Sequence, residues 1–187
     1  MDQPFFRRLF SRSPKPLSMG AINAQETQAE SGSAETQFHL GVKYANGEGQ
    51  AQDYERAAKW YLKAANQDHA LAQFNLGIMY AAGQGVSKSP TEADVWFGKA
   101  AQQGDAGAQH RLGMSRYRAS ISGPATGMPE ARIEAYTWFL LAAAQGYGES
   151  DVASATVALN MTHDDVTEAT RRVARFAPSG DATSLPR

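Results

Sequence analysis

The sequence predicts an all-α solenoid of helix-turn-helix repeats closed by helical caps, and three observations carry that prediction. An eight-residue pattern recurs as Ala34-Glu-Thr-Gln-Phe-His-Leu-Gly41, Ala70-Leu-Ala-Gln-Phe-Asn-Leu-Gly77 and Ala106-Gly-Ala-Gln-His-Arg-Leu-Gly113, each 36 residues after the last. A second pattern, Ala57 to Ala65, returns as Ala93 to Ala101 and, after a step of 42, as Ala135 to Ala143, placing all three tryptophans, Trp60, Trp96 and Trp138, at one position. Its apolar residues fall at i, i+3, i+4, i+7 and i+8 (Ala57, Trp60, Tyr61, Ala64, Ala65), the stripe of a helix. Self-similarity at this period marks stacked units sharing one core, because a lone helix pair cannot bury its apolar face.

The elements follow in chain order. Residues 1–33 read as a flexible, basic leader and linker: Met1 to Met19 hold Arg7, Arg8, Arg12 and Lys15 against Asp2, and 20–33 form a linker or weak helix. No apolar core of a signal peptide follows the charges. Phe5, Phe6, Leu9 and Phe10 around the arginines could make weak contact with an anionic membrane surface, but an unstructured leader is the expectation.

Three units occupy 34–69, 70–105 and 106–147. The first helix of each carries Leu40 and Tyr44, Leu76 and Tyr80, then Leu112. Gly41, Gly77 and Gly113 recur within these helices, at a cost of about 1 kcal/mol each against alanine, which points to a neighbouring helix passing close. Asp53 and Ser89-Pro-Thr-Glu92 supply N-cap signals for the second helices, the latter a capping box with proline at the first helical position. Gly104 and Gly146 stand where a left-handed terminator is wanted, and Asp68 takes that place in the first unit. The six extra residues of the third unit, between Ser120 and Met128, predict an enlarged loop. Residues 148–177 read as two capping helices, with Val166, Ala169, Val173 and Phe176 inward and Arg171, Arg172 and Arg175 outward. Residues 178–187 form a flexible tail.

Composition narrows the function. With 18 Lys and Arg against 19 Asp and Glu, the chain of 187 residues has a net charge of -1 and no basic field for nucleic acid. It has no cysteine, which removes disulfides, thiolate metal sites and a cysteine nucleophile. No apolar run reaches the ~18 residues of a membrane span. Gly47-x-Gly49 and Gly83-x-Gly85 follow helices and read as turns, not phosphate cradles. The histidines His39, His69, His110 and His163 have no helical i, i+4 partner of ligand type, so no metal or other cofactor is expected. Neither Ser115 nor Ser120 near His110 sits in a nucleophile motif. Gln37, Gln73 and Gln109 repeat at one position, and identity in every unit signals a packing role, a bond between neighbouring helices.

These motifs, above all Ala70 to Asp105 with Gly83-Gln-Gly85-Val86, resemble the Sel-1-like repeat family, relatives of the tetratricopeptide repeat. The first unit departs at Gln50, and the third at Arg116 and in lacking the Gly-x-Gly pair. The resemblance implies a right-handed α/α superhelix acting as an adaptor for a protein or peptide, with no catalysis. The alternative it implies is a β-lactam-binding or hydrolytic role, as in secreted family members, but those carry cysteine pairs and an export signal. A cytoplasmic monomer is the expectation. On a helical wheel, Phe38, Val42, Phe74, Ile78, His110 and Met114 lie opposite the side facing each unit's own second helix, with His39, Asn75 and Arg111 beside them. Stacking predicts a ladder of these residues along the concave surface, there to meet a partner or to pack against the next unit. Asn75 and Arg111 are the residues least explained by packing.

Overall fold

A computed structural model describes residues 18–122 and 128–176. The basic aromatic segment from Phe5 to Lys15 and the tail 178–187 lie outside the described residues. Those residues form nine helices and no strand, in two compact units, one ending at Trp96 and the other beginning at Phe97.

The first unit holds α1 (Met19–Glu30), α2 (Ala34–Asn46), α3 (Tyr54–Ala65), α4 (Ala70–Ala82) and the first half of α5 (Pro90–Gln102). Each start has a side chain that takes an otherwise orphaned backbone N–H. The Ser33 hydroxyl accepts from Thr36 N at 3.3 Å, Asp53 Oδ1 from Arg56 N at 2.9 Å and Ser89 Oγ from Glu92 N at 3.2 Å. Ser89 N donates to the Tyr80 carbonyl, as Asp53 N does to that of Tyr44, so the turn itself takes the N–H that a capping-box glutamate would accept. Gly47 and Gly83 end α2 and α4 at φ +71° and +77°. Tyr44, Trp60, Tyr61, Leu76 and Met79 fill the core with the alanines of α3.

Of the two readings of 20–33, a linker or a weak helix, the structure has a helix, α1. The Ser18 hydroxyl caps it by accepting from Ala21 N, Ala29 is buried in the core, and Ile22 packs against it. It stands to α2 as α3 stands to α4. The Gln37 amide donates to the Ala29 carbonyl at 3.0 Å, just as the Gln73 amide donates to Ala65 at 3.1 Å.

The second unit holds the rest of α5, then α6 (Ala106–Ser122), α7 (Met128–Ala144), α8 (Glu149–Ala158) and α9 (His163–Phe176). The predicted enlarged loop is corrected here. Helix α6 runs 17 residues where α2 and α4 run 13, and α7 runs 17 where α3 and α5 run 12 and 13, so the added length goes into helix. Residues 123–127 lie outside the described residues. Thr162 and Asp165 make a full reciprocal capping box for α9. The expectation that Arg172 points outward is also corrected: it bonds Glu168 on its own helix and Glu130 on α7 at 2.6 Å. Ala135, Phe139 and Val157 are buried at the centre of this unit.

The recurring helical glycines have the predicted cause in both units. A Cβ on Gly41 would lie 2.6 Å from the Tyr61 ring, and one on Gly113 equally close to the Phe139 ring. Gly104 and Gly146 have φ of +94° and +81°, and Asp68, in their place, sits at +59°.

Candidate functional site

Two kinds of position stand side by side on the first helices. Gln37, Gln73 and Gln109 do one job, each amide donating to the last-turn carbonyl of the preceding helix (Ala29, Ala65, Ala101). Gln67 and Gln145 donate in turn to the side-chain oxygens of Gln37 and Gln109 at 2.8 Å. The next position is Phe38, Phe74 and His110, changing only in the third repeat, and the one after it, His39, Asn75 and Arg111, differs in every repeat.

In the first unit Phe38 is half-buried. It stacks on His69, which heads α4, with ring centroids 4.5 Å apart, and it lies 5.8 Å from Tyr61. Packing consumes most of this ring. Val42 packs against the same core, and Phe74 and Ile78 are half-buried. Asn75 is half-buried beside the Tyr61 hydroxyl, whose pKa is raised by burial with Asn75 opposing. His39 is exposed and pairs with Glu35 at 2.7 Å.

Glu35 corrects the expectation that His39 has no i, i+4 partner of ligand type, since the two pair on α2. Its second oxygen lies 3.0 Å from His69 Nε2. His69 Nδ1 accepts from Ala72 N at 3.2 Å, capping α4, so its proton sits on Nε2 and is donated to Glu35. That bond leads the causes that hold the Glu35 carboxyl below its ordinary value. Among the described residues, no group of three or more His, Asp or Glu is arranged to hold a metal ion.

In the second unit His110 is 8% exposed and does not line an open groove. Its ring lies between Phe139 and Tyr147, with centroids 5.5 and 5.0 Å away. Its Nδ1 is 2.8 Å from the Ser150 hydroxyl and its Nε2 is 3.6 Å from the Glu149 carboxylate. A serine, an imidazole and a carboxylate thus stand in a row, but with the two ring nitrogens exchanged relative to a hydrolase triad. The Ser150 side chain is also 0% exposed, so its oxygen cannot meet a substrate carbonyl, and the trio serves to fasten α8 to α6. Ser150 escaped the sequence reading because it lies in the irregular cap. Arg111 is exposed, and Met114, one turn from His110, is 36% exposed.

These features define a helical-repeat protein whose first helices hold a constant framework of glutamine bonds and present a variable set of side chains beside it. A model of the Sel1 repeat matches residues 34–69, 70–105 and 106–147, and the chain belongs to the Sel1 repeat family. The crystal structure of a Sel1 repeat protein from Oxalobacter formigenes is 32% identical, with a TM-score of 0.57 over 74% of this chain and 99% of that one. The structure of c5321, a protective antigen of uropathogenic Escherichia coli with an SLR fold, is 23% identical with a TM-score of 0.52, over 86% of this chain and 41% of that one, a likeness of fold alone. Among curated proteins, none matches. Sel1 repeats are typically protein-interaction scaffolds.

Proposed function

We propose that the chain is a non-catalytic scaffold in the cytoplasm that binds a protein or peptide on the first-helix face, the concave side expected from the sequence. The single observation supporting this reading is the contrast between adjacent columns. The glutamine column repeats one bond, while the column His39, Asn75, Arg111 changes side chain in every repeat and is exposed at its first and third members. The glutamine position, which one repeated bond dictates, keeps one residue type. The contact set is Phe38, His39, Val42, Phe74, Asn75, Ile78, His110, Arg111 and Met114, with different duties. Phe38, Asn75 and His110 hold the surface in shape, and His39, Arg111 and Met114 supply accessible atoms. The test uses full-length protein as bait in lysate of the native host, with Arg111→Glu and Met114→Asp combined. Both side chains are exposed, so the melting temperature should hold, while capture of a stoichiometric partner should fall about tenfold or more. Undiminished capture by the double variant would remove this face as the binding surface. Subcellular fractionation tests the location.

A further inference from the structure

We propose that the segment Phe5 to Phe10 of this same chain docks in an apolar groove of the first unit, between α3 and α4. The proposal does not rest on the partner reading above, which concerns a different side of the helices.

The groove has a volume of about 220 Å³ and is lined by Leu62, Leu76, Tyr80 and Val86, with the exposed Glu55 and Lys59 at its rim. That exceeds the ~150 Å³ of a cavity that holds a benzene ring, so one phenyl group fits. The leucine at its edge, Leu62, is 38% exposed and offers apolar surface to an occupant. The wall opposite is fixed in advance. Gly85, at φ +67°, brings the turn carrying Val86 so close to α3 that a Cβ there would lie 2.1 Å from the Tyr54 carbonyl oxygen. The counterpart one repeat earlier is polar and already filled. Glu26 stands in place of Leu62 and Gln50 in place of Val86, and the Tyr44 hydroxyl donates to Glu26 at 2.6 Å. The open apolar site is therefore a feature of the second repeat, not a general by-product of stacking.

Three facts choose the occupant. The segment supplies the rings, with Phe5, Phe6 and Phe10 beside Leu9. Charge is complementary: residues 1–17 carry four Lys and Arg against one acid, while residues 18–96 carry nine Asp and Glu against five bases, Glu55 among the acids. Reach is sufficient. Because α1 sits on α2 as α3 sits on α4, Ser18 corresponds to Tyr54 at the head of α3, one repeat away from the groove. Two helix layers of 8–10 Å make that distance roughly 20 Å. Residues 11–17 separate Phe10 from Ser18, and seven residues span up to about 23–25 Å when extended, a state that Pro14 and Pro16 favour. The docked segment is a built-in competitor for any external peptide that uses the same groove.

The experiment places the photoreactive residue p-benzoylphenylalanine at Phe10 in the full chain, irradiates it at low concentration without lipid, and maps cross-links by mass spectrometry. Intramolecular links to Leu62, Tyr80 or Val86 are expected. Their yield should fall about tenfold with Leu62→Asp, which removes one apolar anchor at an exposed edge. Raising the salt to 1 M, where charges are screened within about 3 Å, should lower the yield in the parent and provides a second reading if the variant folds poorly. Absence of links, links elsewhere on the chain, links only between copies, or links that need anionic vesicles would each overturn the proposal.

Discussion

At the scale of single residues, the repeat is held in register by atoms that leave no room for change. Gly41 faces the Tyr61 ring, which is itself buried and packed against Phe38, so the ring cannot retreat from an added methyl. Alanine would gain about 1 kcal/mol in helix propensity, but overpacking costs about 1–3 kcal/mol. Gly41→Ala should therefore lower the melting temperature, and a rise would mean that Tyr61 moves freely. Asp68 has the opposite prospect. It is the only non-glycine residue with positive φ among the described residues, and its carboxylate makes only a long 3.4 Å contact with Gln73. The left-handed region costs an L-residue about 1–2 kcal/mol, so Asp68→Gly should raise stability by about 0.5–1 kcal/mol, read by denaturant titration. His110 introduces pH dependence. Burial, the largest cause, holds its pKa below the ordinary value, with Arg111 adding to the effect and Glu149 opposing it. The unfolded chain then binds the proton more readily than the native state. Stability is full above about 6.5 and is lost as pH falls from there towards the native value. The melting temperature should drop between pH 7 and pH 5, and His110→Gln should flatten that drop. Glu35 and Asp165, also held low, lose their contributions only as pH falls through their ordinary values of 4.5 and 3.8. An unchanged drop in the variant would place the titration on another group.

At the scale of elements, legibility followed periodicity. Helices α2 to α7 were readable because their apolar spacing, caps and glycines repeat, and the repeated Gln37, Gln73 and Gln109 announced a shared bond. Helix α1 was not, because it buries little beyond Ala29 and Ile22 and so has no apolar stripe to detect; its attachment is largely polar, through Glu26 to Tyr44 and Arg56 and through Glu30 to Lys63. The extension of α6 and α7 was hidden for a different reason. The Gly and Pro residues of 123–127 suggest a break without saying how far the flanking helices run. The burial of His110 depends on Tyr147, Glu149 and Ser150, which lie where the repeat degenerates, so no comparison between units could have revealed it. The same irregularity sets the role of α9. Trp138 is half-buried where Trp60 is fully buried, and Phe176 of α9 packs against it at 5.2 Å. Phe176, expected to face inward, is 45% exposed, so Phe176→Ala should shift tryptophan emission to the red while changing stability by less than about 1 kcal/mol. In a Trp138→Phe background the shift should vanish. Its persistence would show that the emission change comes from Trp60 or Trp96.

At the scale of the whole molecule, the stability of a repeat protein is close to a sum of unit terms and nearest-neighbour terms, so an end element contributes mainly through the one neighbour it covers. Helix α1 is such an element, so residues 34–187 alone should fold with the loss of one neighbour term. Removing residues 1–33 takes away the Ala29 carbonyl that the Gln37 amide bonds and the Glu26 carboxylate that bonds Tyr44, and it bares the side of α2 that carries Leu40. Water can reach the freed Gln37 and Tyr44 groups, which limits the cost to the net value of the lost bonds and a modest apolar area, about 2–3 kcal/mol. For a chain of this size each kcal/mol corresponds to about 2–4 °C in melting temperature. The 34–187 fragment should keep a helix-dominated far-ultraviolet spectrum, because none of α2 to α9 is removed, and it should melt roughly 4–12 °C lower than the full chain. Removing only residues 1–17 should leave the cap in place and cost far less. If the two truncations melt alike, α1 contributes nothing to the first unit, and the match between its seat on α2 and that of α3 on α4 has no energetic meaning.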